Sequence, residues 1–324
     1  MSAISFQKTT LSMVIAMFVA GAIPGMSVVH AAAVPTLEKG ATKVEGALVN
    51  TKNNKTATSR QLLTSMFRKG NIYVKVSVNG AKKTWMMLDT GTASASIIDL
   101  DYAQSLGIQL TPEVEGTGGF GAEKVPTFNT SPVHLSADTS KGQITDFESF
   151  KIDGMTGPDG KALSGLLGYS FLAGKTLVID YKKEEIYFVK NAAKPDRQDV
   201  KMELNLNIPS VNIKMSGHDV RALIDTGGAY NLLITPATTK EIGIEQYLEE
   251  AKPAGSSGHG GEQAVRIGKA PDISIGDLAI HDLTAAYTSF GTTGINAGAS
   301  LGKDFLKNYK LTINYGAMTI RFEP

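Results

Sequence analysis

Apolar and polar residues alternate along Ile72-Tyr73-Val74-Lys75-Val76-Ser77-Val78, the period-two pattern of a strand with one face buried. Asn79-Gly80 follows, a pair suited to a two-residue hairpin turn, so Trp85-Met86-Met87-Leu88 is predicted to run back beside it. The same pattern returns in the second half of the chain. Val211 to Met215 reads as a strand, Ser216-Gly217 as its turn, and Ala222-Leu223-Ile224 as the end of the return strand. After each return strand comes another apolar stretch and then a short helix. Asp99 and Thr235 are placed to cap those helices, Pro236 fits a first helical position, and Gly107 and Gly243 end them. Each half then closes with a Leu-Gly step, a short helix and two strands joined by a turn. The last such pair is Lys310 to Tyr315 and Met318 to Phe322.

The two halves align residue by residue. Position 225 minus position 89 gives an offset of 136, under which Gly91 matches Gly227, Ile97-Ile98 matches Leu233-Ile234, and Leu106-Gly107-Ile108 matches Ile242-Gly243-Ile244. Farther on the offset is 134. Leu167-Gly168 then faces Leu301-Gly302, Phe171 faces Phe305, Asp180-Tyr181 faces Asn314-Tyr315, and Ile186 and Phe188 face Ile320 and Phe322. Two copies are too few for a solenoid. They predict a duplicated lobe folded about a pseudo-two-fold axis, in an all-β dominated chain with few short helices.

The N-terminus carries a different pattern. Lys8 precedes a short apolar run from Leu11 to Ile23, Pro24-Gly25 break it, and Ala31-Ala32-Ala33 supplies small residues for cleavage before Val34. That run falls short of the ~20 residues a membrane-spanning helix needs. The expected organisation is a signal peptide over 1–33, a linker or prosegment over 34–66, lobe one over 67–190, an interlobe linker over 191–199 and lobe two over 200–324. A short helix is expected near Arg60 to Phe67. Val34 to Lys69 holds Lys39, Lys43, Lys52, Lys55, Arg60, Arg68 and Lys69 against Glu38 and Glu45. Such a basic segment either masks an acidic cleft or acts as a solvated tether, and both readings stay open.

Composition narrows the class. Thirty-four glycines and 42% apolar residues suit a β-rich globular protein. The formal net charge of +1 gives no reason to expect a nucleic acid or an anionic membrane as partner. There is no cysteine, hence no disulfide framework and no lipidated cysteine. With the signal sequence, this fits a bacterial periplasmic or secreted protein with no membrane anchor after cleavage.

Candidate chemistry lies at the ends of the two return strands, in Asp89-Thr90-Gly91 and Asp225-Thr226-Gly227. Two carboxylates held close together cannot both ionise cheaply, so the pair shares a proton. The charged member can take a proton from a water while the protonated member polarises a carbonyl. The resulting pKa values belong to the pair, so acid and base are not assigned to one residue each. Glycine at 91 and 227 allows close backbone approach. The next residue is Thr92 in one half and Gly228 in the other, which predicts unequal environments, with the Thr92 hydroxyl free to reach the Asp89 carboxylate.

These motifs, over residues 67 to 324, resemble the retropepsin-like branch of the aspartic proteases in a single-chain, two-lobe form. The matching parts in each half are the apolar-Asp-Thr-Gly triplet, a Gly-rich hairpin downstream and an apolar-Gly step. The resemblance implies that Asp89 and Asp225 are catalytic and that Thr90 and Thr226 hydrogen-bond across to the opposite loop. It implies flaps at Gly118, Gly119, Phe120 and Gly121 and at Gly258, His259, Gly260 and Gly261, closing over an extended polypeptide. Leu167-Gly168 and Leu301-Gly302 then pack structurally beneath the site. The stretch Gly116 to Gly121 also fits the GxGxxG pattern of dinucleotide binding by letter, but Ala122 to Pro126 does not supply the helix that reading requires. The five histidines are scattered without metal-ligand spacing. No metal or organic cofactor is expected, and no paired His and acid suggest a serine hydrolase. The sequence therefore predicts an exported, monomeric aspartic endopeptidase. The alternative from another class is a peptide-binding protein of the same fold without turnover.

Overall fold

A computed structural model describes residues 59–93, 95–113, 125–138, 143–190, 192, 194–258, 261–291 and 294–324. The signal peptide, most of the basic segment, the flap residues Gly118, Gly119, Phe120 and Gly121, and the hairpin-tip residues His259 and Gly260 lie outside them. The described residues form strands and five short helices of four to six residues.

Each lobe is built around the same three-strand arrangement. In lobe one, strand Thr84–Leu88 runs parallel to Gly165–Leu167, with Leu167 beside Leu88, and Ser96–Asp99 pairs antiparallel on the other side of Gly165–Leu167. In lobe two, His218–Asp225 runs parallel to Ala299–Gly302, with Asp225 beside Gly302, and Leu232–Ile234 pairs antiparallel with that strand. The apolar-Gly step thus sits between the strand that delivers each aspartate and the strand that leaves it. Leu88, Leu167, Ile224 and Leu301 are fully buried, each stabilising the fold by roughly 1.5–3 kcal/mol.

The local signals act as the sequence predicts. Asn79 and Gly80 both take positive φ, 50° and 74°, as do Ser216 and Gly217 at 49° and 84°, so both hairpins turn through left-handed pairs. The Asp99 side chain accepts from the Tyr102 N–H to cap helix Leu100–Ser105. Thr235 caps Pro236–Glu241 in the same way, with Pro236 in the first turn. A further helix, Glu245–Glu250, follows it.

The helix expected near Arg60 to Phe67 is not formed. That segment makes two strands, Ser59–Leu62 and Ser65–Arg68. Lys69 and Gly70 adopt positive φ and turn Ser65–Arg68 back onto Asn71–Val78, with Arg68 opposite Asn71. Ser65 and Phe67 point inward while Met66 and Arg68 are more exposed, a period of two that a helix could not satisfy.

Six strands join the lobes, in the order Ser59–Leu62, Glu185–Lys190, Thr176–Asp180, Lys310–Asn314, Thr319–Glu323 and Val200–Asn205. At the centre Val178 pairs with Thr312. These two residues are equivalents under the 134 offset, so the local two-fold axis passes between them. One continuous apolar core, including Leu177, Ile179, Leu311 and Ile313, runs through both lobes. Arg321 anchors the interlobe connection by hydrogen bonds from Nε and Nη2 to Asp199 at 3.1 and 2.6 Å.

Candidate active site

Both triplets meet at the lobe interface. The Thr90 hydroxyl donates to the Ile224 carbonyl at 2.6 Å, and the Thr226 hydroxyl donates to the Leu88 carbonyl at 3.1 Å. Each hydroxyl also accepts from the backbone N–H of the other threonine. Because Leu88 and Ile224 immediately precede the aspartates, these bonds fix the two carboxyl-bearing loops against each other.

The triplet glycines set the approach. A Cβ on Gly91 would lie 2.5 Å from Oδ1 of Asp225, and one on Gly227 would lie 2.5 Å from the Asp89 carboxyl group. Each glycine therefore lies against the opposite carboxyl, and only the lack of a side chain permits it. Asp89 and Asp225 are 0% and 1% exposed. Burial raises both pKa values above the ordinary carboxylate range. Asp89 rises well above it, because the charge of Asp225 adds to its desolvation.

The two carboxyls have different partners. Oδ1 of Asp89 accepts from the Gly91 N–H at 2.9 Å, while its Oδ2 has no hydrogen-bond partner among the described residues. Oδ1 of Asp225 accepts from the N–H groups of Gly227 and Gly228, both at 2.9 Å, and its Oδ2 accepts from the Tyr230 hydroxyl at 2.7 Å. Unequal environments are thus present, but not by the route the sequence suggests. The Thr92 hydroxyl donates to the backbone carbonyl of Asp89 at 2.8 Å rather than to its carboxylate, because the loop closes as a turn that brings that carbonyl within reach.

The apolar-Gly steps press directly on these loops. A Cβ on Gly168 would overlap Oγ1 of Thr92 at 1.9 Å, and one on Gly302 would meet the Tyr230 and Gly228 carbonyls at 2.4 and 2.6 Å. In lobe two, Lys252–Gly258 and Gly261–Lys269 form a hairpin in which Gly258 pairs with Gly261. The two strands flanking the Gly-rich tip thus pair antiparallel up to Gly258 and Gly261.

Three contributors escape a reading of the motif. Tyr230 and Ser300 support Asp225, their hydroxyl oxygens 2.8 Å apart. Lys303, 6% exposed, donates from lobe two to Oδ1 of Asn71 in lobe one. Burial lowers its pKa, and its charge acts on both aspartates. The only sequence signal for Tyr230 is the bare Gly228 two residues before it.

No curated protein matches the chain. The sequence model of a family described as aspartyl protease matches it twice, over residues 74–171 and 211–305, together more than half of the chain and once in each lobe. With two matched lobes and two interlocked Asp-Thr-Gly loops, the chain belongs to the retropepsin-like aspartyl protease family.

Proposed function

We propose that the protein is an exported aspartic endopeptidase that hydrolyses peptide bonds with a water activated by Asp89 and Asp225. The observation that carries this reading is the pair of buried carboxyls, each lying against the triplet glycine of the other lobe. A water between them gives its proton to the ionised carboxylate as its oxygen bonds to the scissile carbonyl carbon. The protonated carboxyl donates to the carbonyl oxygen, giving a neutral tetrahedral diol. When the C–N bond breaks, the carboxyl that took the water's proton passes it to the leaving nitrogen. A diol hydroxyl returns its proton to the other carboxylate, which restores the dyad's single proton. The hairpin Lys252–Gly258 with Gly261–Lys269, and its sequence counterpart at Gly118 to Gly121, would close over an extended peptide.

Both half-sites belong to one chain, which supports activity as a monomer. The apolar run and small residues before Val34 support export to the periplasm or the medium. The test is hydrolysis of a peptide library by the mature protein across pH, beside Asp89→Asn and Asp225→Asn. Each variant should lose nearly all turnover, and a statine-type inhibitor should abolish the wild-type rate. A rate that survives either substitution refutes the two-aspartate mechanism. A specific activity that falls on dilution refutes the monomer.

A further inference from the structure

Asp225 is held by a device that the described residues of lobe one do not repeat. Tyr230 has one hydroxyl proton, and it points at Oδ2 of Asp225, 2.7 Å away. The Ser300 hydroxyl, 2.8 Å from the same oxygen, must then be the donor in that contact. The result is a directed chain from Ser300 through Tyr230 to Asp225. Two glycines make room for it. A Cβ on Gly228 would lie 2.4 Å from Cε1 of Tyr230 and 2.5 Å from Oδ2 of Asp225, and one on Gly302 would lie 2.6 Å from Cδ2 of Tyr230. Under the repeat, Gly228 corresponds to Thr92 and Ser300 to Leu166, so lobe one has neither the gap nor the second hydroxyl.

We propose that Tyr230 is a positioning residue that keeps Asp225 the ionised member of the dyad and leaves the shared proton on Asp89. Three donors converge on Asp225, and a carboxylate accepts all three more strongly than a carboxylic acid, whose protonated oxygen is a weak acceptor. Asp89 receives one N–H, and its unpartnered Oδ2 is the free position for an O–H. The other groups bearing on the pair do not reverse this. The charge of Lys303 acts on both carboxyls, so it does not by itself move the proton from one to the other. Tyr181 and Tyr230 are both pushed up by burial and by the charge of Asp225, so both stay protonated. In catalysis Asp225 then takes the proton from water and Asp89 donates to the substrate carbonyl. That last step rests on the peptidase reading, whereas the charge assignment does not.

The experiment follows the aspartate carboxyl carbons by 13C NMR in the full mature chain, with Asp89→Asn and Asp225→Asn assigning the signals. Asp225 should titrate at lower pH than Asp89. Tyr230→Phe should move the Asp225 step upward by about one pH unit, and Ser300→Ala should move it in the same direction by less. The acid limb of the kcat/KM profile should follow, with kcat changing more than KM. An Asp225 step unchanged in Tyr230→Phe, or an Asp89 step below it, overturns the assignment. Should Tyr230→Phe fail to fold, an unmoved step in Ser300→Ala overturns it instead. Titrations that move as stated in a protein without peptidase activity uphold the assignment and refute the peptidase reading.

Discussion

The Thr90 hydroxyl accepts from the Thr226 N–H at 3.0 Å, and the Thr226 hydroxyl accepts from the Thr90 N–H at the same distance. Each hydroxyl donates a hydrogen bond to the carbonyl of the residue before the opposite aspartate. Four hydrogen bonds thus cross between the lobes within a fully buried space. Thr90→Val or Thr226→Val keeps the shape but leaves a buried N–H and a buried carbonyl of the other loop unpaired, at about 1–3 kcal/mol for each unsatisfied group. Each single variant should lower the unfolding free energy by about 2 kcal/mol or more in denaturant titrations. The double variant should lose less than the sum, because both changes break one network.

That interlock was legible because a short motif occurs twice and resembles that of a family in which the threonines bond across to the opposite loop. Asp-Thr-Gly at 89 and 225, the left-handed pairs Asn79-Gly80 and Ser216-Gly217, and the caps Asp99 and Thr235 are all local signals, and local signals survive in a sequence. What stayed hidden depends on distant partners. Ser59–Leu62 is a strand only because Glu185–Lys190 offers it an edge, and nothing within those four residues announces that. Lys303 reaches Asn71 across 232 positions of sequence. Tyr230 sits five residues after Asp225, but its role depends on Ser300 and on the space left by two glycines. The helix expected over Arg60 to Phe67 failed for a related reason. Lys69-Gly70 is a weaker turn signal than Asn-Gly, and the alternation it serves is only four residues long.

The buried dyad carries a stability cost that depends on pH. Asp89 has a folded-state pKa well above its unfolded value. Between those two values the folded chain holds a proton that the unfolded chain has lost. Stability is therefore full below the ordinary carboxylate range and falls as pH rises through the folded pKa. Asn at position 89 has no proton to lose. Thermal unfolding should find Asp89→Asn and wild type alike in strong acid, with the variant increasingly the more stable toward neutral pH. A gap that does not change with pH would contradict the raised pKa.

Lys303 places a buried positive charge where both aspartates feel it. The charge favours ionised carboxylates, so it extends the range over which the dyad can hold one negative charge toward lower pH. Lys303→Met removes the charge while keeping an unbranched chain of similar reach. The acid limb of the activity profile should move to higher pH, with the rate on the acid side falling most. An unshifted limb would leave Lys303 as a strut between the lobes through Asn71 and nothing more.

Gly228 offers a test by exchange. A Ser at 228 would bring a hydroxyl to the loop beside Asp225, but its Cβ would overlap the Tyr230 ring at 2.4 Å. The ring is buried against the core and hemmed in by Gly302, so it cannot yield without moving the loop. Gly228→Ser alone should therefore lose most activity. Tyr230→Ala alone should also lose it, because Oδ2 of Asp225 is left without its donor in a buried site, at about 1–3 kcal/mol. In the double variant the ring is gone, and the close contact that remains, Oδ2 of Asp225 at 2.5 Å, is the end of a side chain that can turn aside and accept from the serine hydroxyl. Peptide hydrolysis by the double variant should exceed that of either single variant by about tenfold, the rate equivalent of about 1.4 kcal/mol of transition-state stabilisation. Equal or lower activity in the double variant would mean that the tyrosine ring itself, rather than the hydrogen bond it donates, is what the site requires.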